Sequence, residues 1–204
     1  MPPLTVDDIL DLGAYERVRD DFRRQVRARR QARRVALGPI MSVVFESVDT
    51  VRFQVQEMAR VEKISTDEGI EAELEVYNRL LPSVGELSAT LFVELTSDAE
   101  MRSWLPRLLG VEEHLVVELP GGVPPVRSIA EEEHGRSLTR ADVTPAVHYL
   151  RLPFIPEQVR ALGAGPASLV VDHPAYLHRA ELGDDTRAAL VADLEGRTVP
   201  IPLG

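Results

Sequence analysis

The chain contains no cysteine. That excludes disulfides, thiolate zinc sites, cysteine-ligated iron–sulfur clusters and a cysteine nucleophile. Any metal would need His, Asp, Glu or Tyr ligands. Aromatic residues make up 5% of the 204 positions, so aliphatic side chains must fill the core. Lysine occurs once, at Lys63, and nearly all positive charge rests on arginine. No run approaches the roughly 20 apolar residues that cross a bilayer. The start, MPPLTVDDIL, is acidic and lacks the basic-then-apolar order of a secretion signal. A cytoplasmic protein with no membrane span is expected. GxSxG, HExxH, Walker and GxGxxG patterns are absent. Gly163-Ala164-Gly165 precedes a strand pattern, the wrong setting for phosphate binding at a helix start. No reaction can be read from these motifs.

What is present is an ordinary globular composition, 44% apolar and 27% charged, at a length that suits one domain with a real core. The charge is unevenly placed. The net charge is −10, yet residues 17–34 hold nine arginines against Asp20 and Asp21, which is +7 and leaves −17 elsewhere. An acidic chain is a poor nucleic-acid binder, because phosphate needs a positive field. The arginine run reads either as a solvated helix face or as a docking surface through Arg23, Arg27, Arg30 and Arg34. Its partner would be acidic: another protein, or a second copy of this chain in a homo-oligomer.

Apolar periodicity predicts a long helix over about 6–33, capped by Thr5, with Tyr15, Val18, Phe22 and Val26 as its stripe. A strand follows at 40–45. A helix over 48–63, capped by Ser47 or Asp49, carries Val48, Val51, Val55, Met58 and Ala59 on one face. Thr66 opens another helix, ended by Pro82. Further strands are predicted at 86–95, 114–119, 146–152 and 167–173, with short helices at 98–109, 156–162 and 184–194. Residues 120–125, PGGVPP, read as a turn or loop, 126–133 as weakly extended and 134–145 as a loop. The tail TVPIPLG is expected to lie extended on a partner or neighbour. Strands outnumber βαβ alternations, so the expected class is α+β, a mixed and largely antiparallel sheet flanked by helices.

Candidate chemistry lies mainly on the 48–63 helix. Gln54 and Glu57 face one way, Arg60 sits three residues from Glu57 and could pair with it, and Glu46 and Glu62 mark the ends. His148 shares a strand face with Leu150 and Leu152, as a core residue or as a ligand. Asp172 and His173 precede Pro174, where the chain turns. Glu57, His148 and His173 could bind Fe or Mn through oxygen and nitrogen; the same residues could equally be a structural network. The full candidate pocket is Glu46, Gln54, Glu57, Arg60, Glu62, Asn78, His148, Asp172, His173 and Tyr176, with Glu57, Arg60, His148 and His173 expected to converge.

The runs RRVALGPIMSVVFESVDTVRFQVQEMARVEKI and ELEVYNRLLPSVGELSATLFVEL, then AVHYLRL and VDHPAY, span nearly the whole chain. Together they resemble an uncharacterised bacterial family catalogued as a domain of unknown function. The positions that the resemblance marks are Phe45, Glu46, Thr50, Gln54, Glu57, Met58, Arg60, Glu62, Tyr77, Asn78, Pro82, His148, His173, Pro174 and Tyr176. It implies a cytosolic protein often encoded beside a rubrerythrin-like protein and an iron–sulfur oxidoreductase resembling heterodisulfide reductase subunits. The resulting expectation is an accessory or assembly subunit acting with those two partners in redox or peroxide defence. The alternative is an enzyme or metal-binding protein with a His/carboxylate site.

Overall fold

The computed structural model describes residues 2–131 and 143–203. In chain order the helices are α1 (Leu12–Gln31), α2 (Val48–Glu62), α3 (Asp67–Tyr77), α4 (Asp98–Trp104), α5 (Pro156–Ala164) and α6 (Asp184–Leu194). The strands are β1 (Arg34–Leu37), β2 (Met41–Phe45), β3 (Glu86–Val93), β4 (Leu115–Glu118), β5 (Val126–Arg127), β6 (Ile129–Ala130), β7 (Val147–Pro153), β8 (Ser168–His173) and β9 (Tyr176–Glu181). The class is α+β, and every strand pair is antiparallel. The strands divide between two sheets, ordered β1-β2-β3-β7-β6 and β5-β4-β8-β9. One core cluster joins them. Val43, Phe45, Leu91 and Leu150 of the first sheet meet Leu115, Val117, Leu169 and Val171 of the second, with Leu162 of α5 and Leu190 of α6. The other face of the first sheet carries α2, which packs against both α1 and α3.

The long N-terminal helix is shorter than its apolar period suggested. Thr5 caps only a 3-10 turn, Val6–Asp8, and the chain is extended at Ile9. The backbone groups of two residues here are satisfied from outside. Gln56 accepts from the Leu10 amide at 2.7 Å and donates to its carbonyl at 3.1 Å. Asn78 clamps Leu4 in the same way, 2.9 Å in each direction. With its amides and carbonyls met, the segment gains more by burying Leu4 and Ile9 against α2 and α3 than by extending the helix. Asp11 then becomes the true cap, accepting from Ala14 N at 2.8 Å.

At the other end α1 stops at Gln31, and Arg34–Leu37 forms an edge strand. Four residues, with Val35 and Leu37 inward, are too short for a period-two signal to stand out in sequence. The last strand, β9, is likewise an edge, with alternate residues exposed. The end of the C-terminal tail packs on its own chain. Ile201 is 2% exposed, packed with Tyr15, Phe22 and Val26 of α1.

Two buried carboxylates fix this arrangement. Asp49, in the first turn of α2, receives Arg29 of α1, Arg52 Nη2 at 3.2 Å and the Ile201 amide at 2.9 Å. Asp193 of α6 receives a two-pronged contact from Arg33, with Nη2 at 3.0 Å, and the Thr198 hydroxyl at 2.5 Å. Arg33 and Asp193 are 4% and 2% exposed. Truncating one member of such a pair strands the other charge, so Asp193→Ala should cost about 3–5 kcal/mol in urea unfolding. Arg33→Met with Asp193→Leu should cost less than either single truncation. A double variant as unstable as the sum of the singles would show that the pair does not act as a unit.

Candidate functional site

The polar residues of α2 turn towards α1 and the first sheet. Ser47 caps α2, and Glu46, which follows β2, is 3% exposed. A carboxylate so buried needs donors, and it has two: Thr50 and Thr90 hydroxyls, each at 2.6 Å. Beside it lies a cavity of about 60 Å³ lined by Val26, Arg30, Glu46, Thr50, Phe53 and Gln54. Arg30 Nε and Gln54 Oε1 are buried without a partner among the described residues. The space suits about two water molecules between them.

Glu57 accepts from Tyr15 OH at 2.7 Å and from Arg19 Nε and Nη2, both at 2.7 Å. The Arg19 fork holds its carboxyl below the usual range, and burial together with Glu57 pushes the Tyr15 hydroxyl up. Arg60 donates to Glu16 at 3.0 Å. Thus Glu57 and Arg60 do not hydrogen-bond to each other, as their spacing suggested; both reach across to α1. Asn78 is taken up by Leu4, and Glu62 is exposed at the end of α2.

The histidines lie on the other side of the sheet. Leu91 pairs with His148, and Thr90 with Tyr149. Directly opposed residues share a face and successive ones alternate. Thr90 faces Glu46 and α2, so Leu91 and His148 face the core between the sheets. His148 is 7% exposed, with Thr144 Oγ1 3.2 Å from Nε2 and Glu112 3.5 Å from Nδ1. Burial lowers its pKa, opposed by the charge of Glu112.

His173 spends both ring nitrogens on backbone: Nε2–H donates to Leu109 O at 3.0 Å, and Nδ1 accepts from Ala175 N at 3.2 Å. Its ring stands edge-on to His114, centroids 4.9 Å apart. Asp172 takes the fork of Arg127 at 3.0 and 2.6 Å, and His114 Nδ1 at 2.8 Å. Those contacts, Arg127 first, bring its pKa down to about 2. Tyr176 donates to Leu37 O at 2.6 Å and accepts from Ile40 N at 3.3 Å, closing over the β1–β2 turn. There Gly38 has φ +67°, and an added Cβ would meet Tyr176 Oη at 2.5 Å.

The predicted pocket is therefore two sets separated by a sheet. Glu46, Gln54, Glu57, Arg60, Glu62 and Asn78 belong to the helical side; His148, Asp172, His173 and Tyr176 belong to the other. Glu57, His148 and His173 do not form one Fe or Mn site. Among the described residues no group of three or more His, Cys, Asp or Glu is placed to hold a metal ion. His134 lies outside the described residues, as does most of the predicted loop at 134–145. What the structure adds is Glu112, His114 and Arg127, gathered around the 3-10 turn Val111–Glu113. His114 and Asp172 are 58 positions apart and meet only through the β4–β8 pairing. Asp172 keeps the proton of His114 on Nδ1, but its charge is shared with Arg127, which weakens it as a support for base chemistry and suits it to clamping β5 and β8 to the turn.

The arginine run resolves by helical period. Arg19 and Arg29 share the inward side of α1 with Phe22 and Val26 and meet Glu57 and Asp49, while Arg33, in the turn after the helix, meets Asp193. Arg24, Arg27, Arg30 and Arg34, with Ala28 and Gln31, line an open concavity of about 440 Å³. Arg23 is half-buried and outside that lining. Arg24 pairs with Asp21 and Arg34 with Glu94. Arg27 and Arg30 have no carboxylate partner among the described residues.

The model of a family described as "Protein of unknown function (DUF3501)" matches residues 3–194. A crystal structure of a novel protein of unknown function from Burkholderia pseudomallei K96243 is similar at 36% sequence identity and a TM-score of 0.85, over 95% of this chain and 100% of that one. No curated protein matches.

The low pKa of Asp172 makes a sign-definite prediction. A carboxylate whose folded pKa is depressed stabilises the fold above its unfolded value, and that contribution disappears as pH falls through the folded one. Asp172→Asn should thus lower the urea midpoint at pH 7, and its deficit against the parent should close as pH falls from about 4 to about 2. A deficit independent of pH over that range would assign the effect to packing instead.

Proposed function

For a chain that belongs to the DUF3501 family, we propose the role of an accessory or assembly subunit, working by contact with other proteins and not by chemistry on its own side chains. Following the resemblance of its sequence, the partners are an iron–sulfur oxidoreductase and a rubrerythrin-like protein, and the setting is redox or peroxide defence in the cytoplasm. The observation that carries this reading is the segregation of charge. An open concavity holds Arg24, Arg27, Arg30 and Arg34, while α3 carries five acidic side chains and no basic one. Opposed patches of this kind steer association and fix orientation. The contacts of Glu57, Asp172 and His173 agree with it, since each is committed to holding elements together.

A second reading is favoured by buried His148 and its half-buried neighbour Glu112. Glu112 Oε2 has no hydrogen-bond partner among the described residues, 3.5 Å from His148 Nδ1. A metal or an acid–base step would use those atoms. Titration with Fe(II) or Mn(II), compared with His148→Ala, tests it: stoichiometric binding lost in the variant would support this reading over the first.

For the accessory role, the purified chain mixed with each of the two partners should form a complex that weakens about tenfold or more between about 0.1 and about 1 M salt, as the screening length falls from about 10 to about 3 Å. Absence of a complex with either partner at low salt would overturn the reading.

A further inference from the structure

The two charged surfaces complement each other, and we propose that they are one interface: the arginine concavity of α1 receives the acidic face of α3 from a second copy of this chain. This rests on the docking reading above and deepens it by naming the occupant of the concavity; the redox partners would meet the assembled dimer.

The acidic face is continuous. Asp67, Glu68, Glu71 and Glu75 are all exposed, and among the described residues no carboxylate of α3 has a basic partner. Burial, and after it the neighbouring Glu62, pushes Glu73 up. The spacing also matches. With a rise of about 1.5 Å per residue, Glu68 and Glu71 stand about 4.5 Å apart along α3, one turn before Glu75, and Arg24 and Arg27 stand at the same separation along α1. Arginine can meet each carboxylate with two parallel hydrogen bonds. Val76, 43% exposed on α3, offers an apolar surface for the arginine stems.

Topology makes the contact reciprocal. α1 and α3 both pack against α2. A two-fold axis running along this helical layer sets α1 of each copy against α3 of the other. The interface is then used twice and closes as a dimer, with no unpaired end to propagate.

The test uses two charge reversals on exposed positions, Arg24→Glu with Arg27→Glu and Glu71→Arg with Glu75→Arg, and the protein carrying all four. Glutamate and arginine are both good helix formers, so circular dichroism should show each variant folded. Sedimentation of the parent should give a dimer at about 0.1 M salt whose dissociation constant rises about tenfold or more by about 1 M. Each double reversal should sediment as monomer, and the fourfold variant should regain the dimer. A monomeric parent at low salt, or reversals that leave the dimer intact, would overturn the proposal. If the monomeric parent still bound the iron–sulfur oxidoreductase, the accessory role would stand without this interface.

Discussion

A carboxylate cannot be left alone inside a protein, and Asp49 and Asp193 are where that constraint shapes the chain. Stranding one buried ion costs several kcal/mol, whereas ending a helix a turn early costs only a few tenths per residue in propensity. The ion pairs therefore decide where the helix ends. Arg29, in the last turn of α1, delivers its guanidinium to Asp49 of α2, and Arg33, in the turn between α1 and β1, delivers its own to Asp193 of α6. The tail follows from the same carboxylates, since Asp49 takes the Ile201 amide and Asp193 the Thr198 hydroxyl.

The first sheet is the second organising fact. Its two faces have different chemistry. Towards the second sheet it is almost wholly aliphatic; towards α2 it carries Ser42, Thr90 and Tyr149, with Glu46 reaching in from the end of β2. Candidate site residues such as Glu57 and His148 are therefore in separate compartments, Glu57 on α2 and His148 turned by strand parity to the opposite face of the sheet. On one side carboxylates are answered by arginines from α1 and by threonine hydroxyls; on the other, His173 is answered by the Leu109 carbonyl, His114 by Asp172 of β8, and His148 lies beside Glu112 of the 3-10 turn.

Much of the fold was legible from the sequence. α2 and α3 follow their apolar period to within a few residues, because one face of each is buried and Ser47 and Thr66 mark their starts, and α6 is bounded by Gly183 and Gly196. β2, β3, β7 and β8 were readable as β-branched or alternating runs. The edges were not: β1 has four residues and β9 alternates with charged side chains, so neither has a pattern distinct from a loop. The site was harder. His114 meets Asp172, and Arg127 joins them, only through strand register, which a one-dimensional pattern does not contain. The arginine run was visible as charge, but its division into inward and outward members required knowing which face Phe22 and Val26 bury.

That division has a consequence for how this sequence can vary over time. Swapping single residues on the outer side of α1 leaves the inner contacts untouched. Inserting or deleting one residue between Arg24 and Arg29 does not, because it turns everything beyond it by about 100°. Arg29 and Arg33 would swing away from Asp49 and Asp193, and both aspartates would lose their counter-ions in one event. Lineages of this chain should therefore accept substitutions here freely and length changes almost never, whatever the outer arginines come to bind.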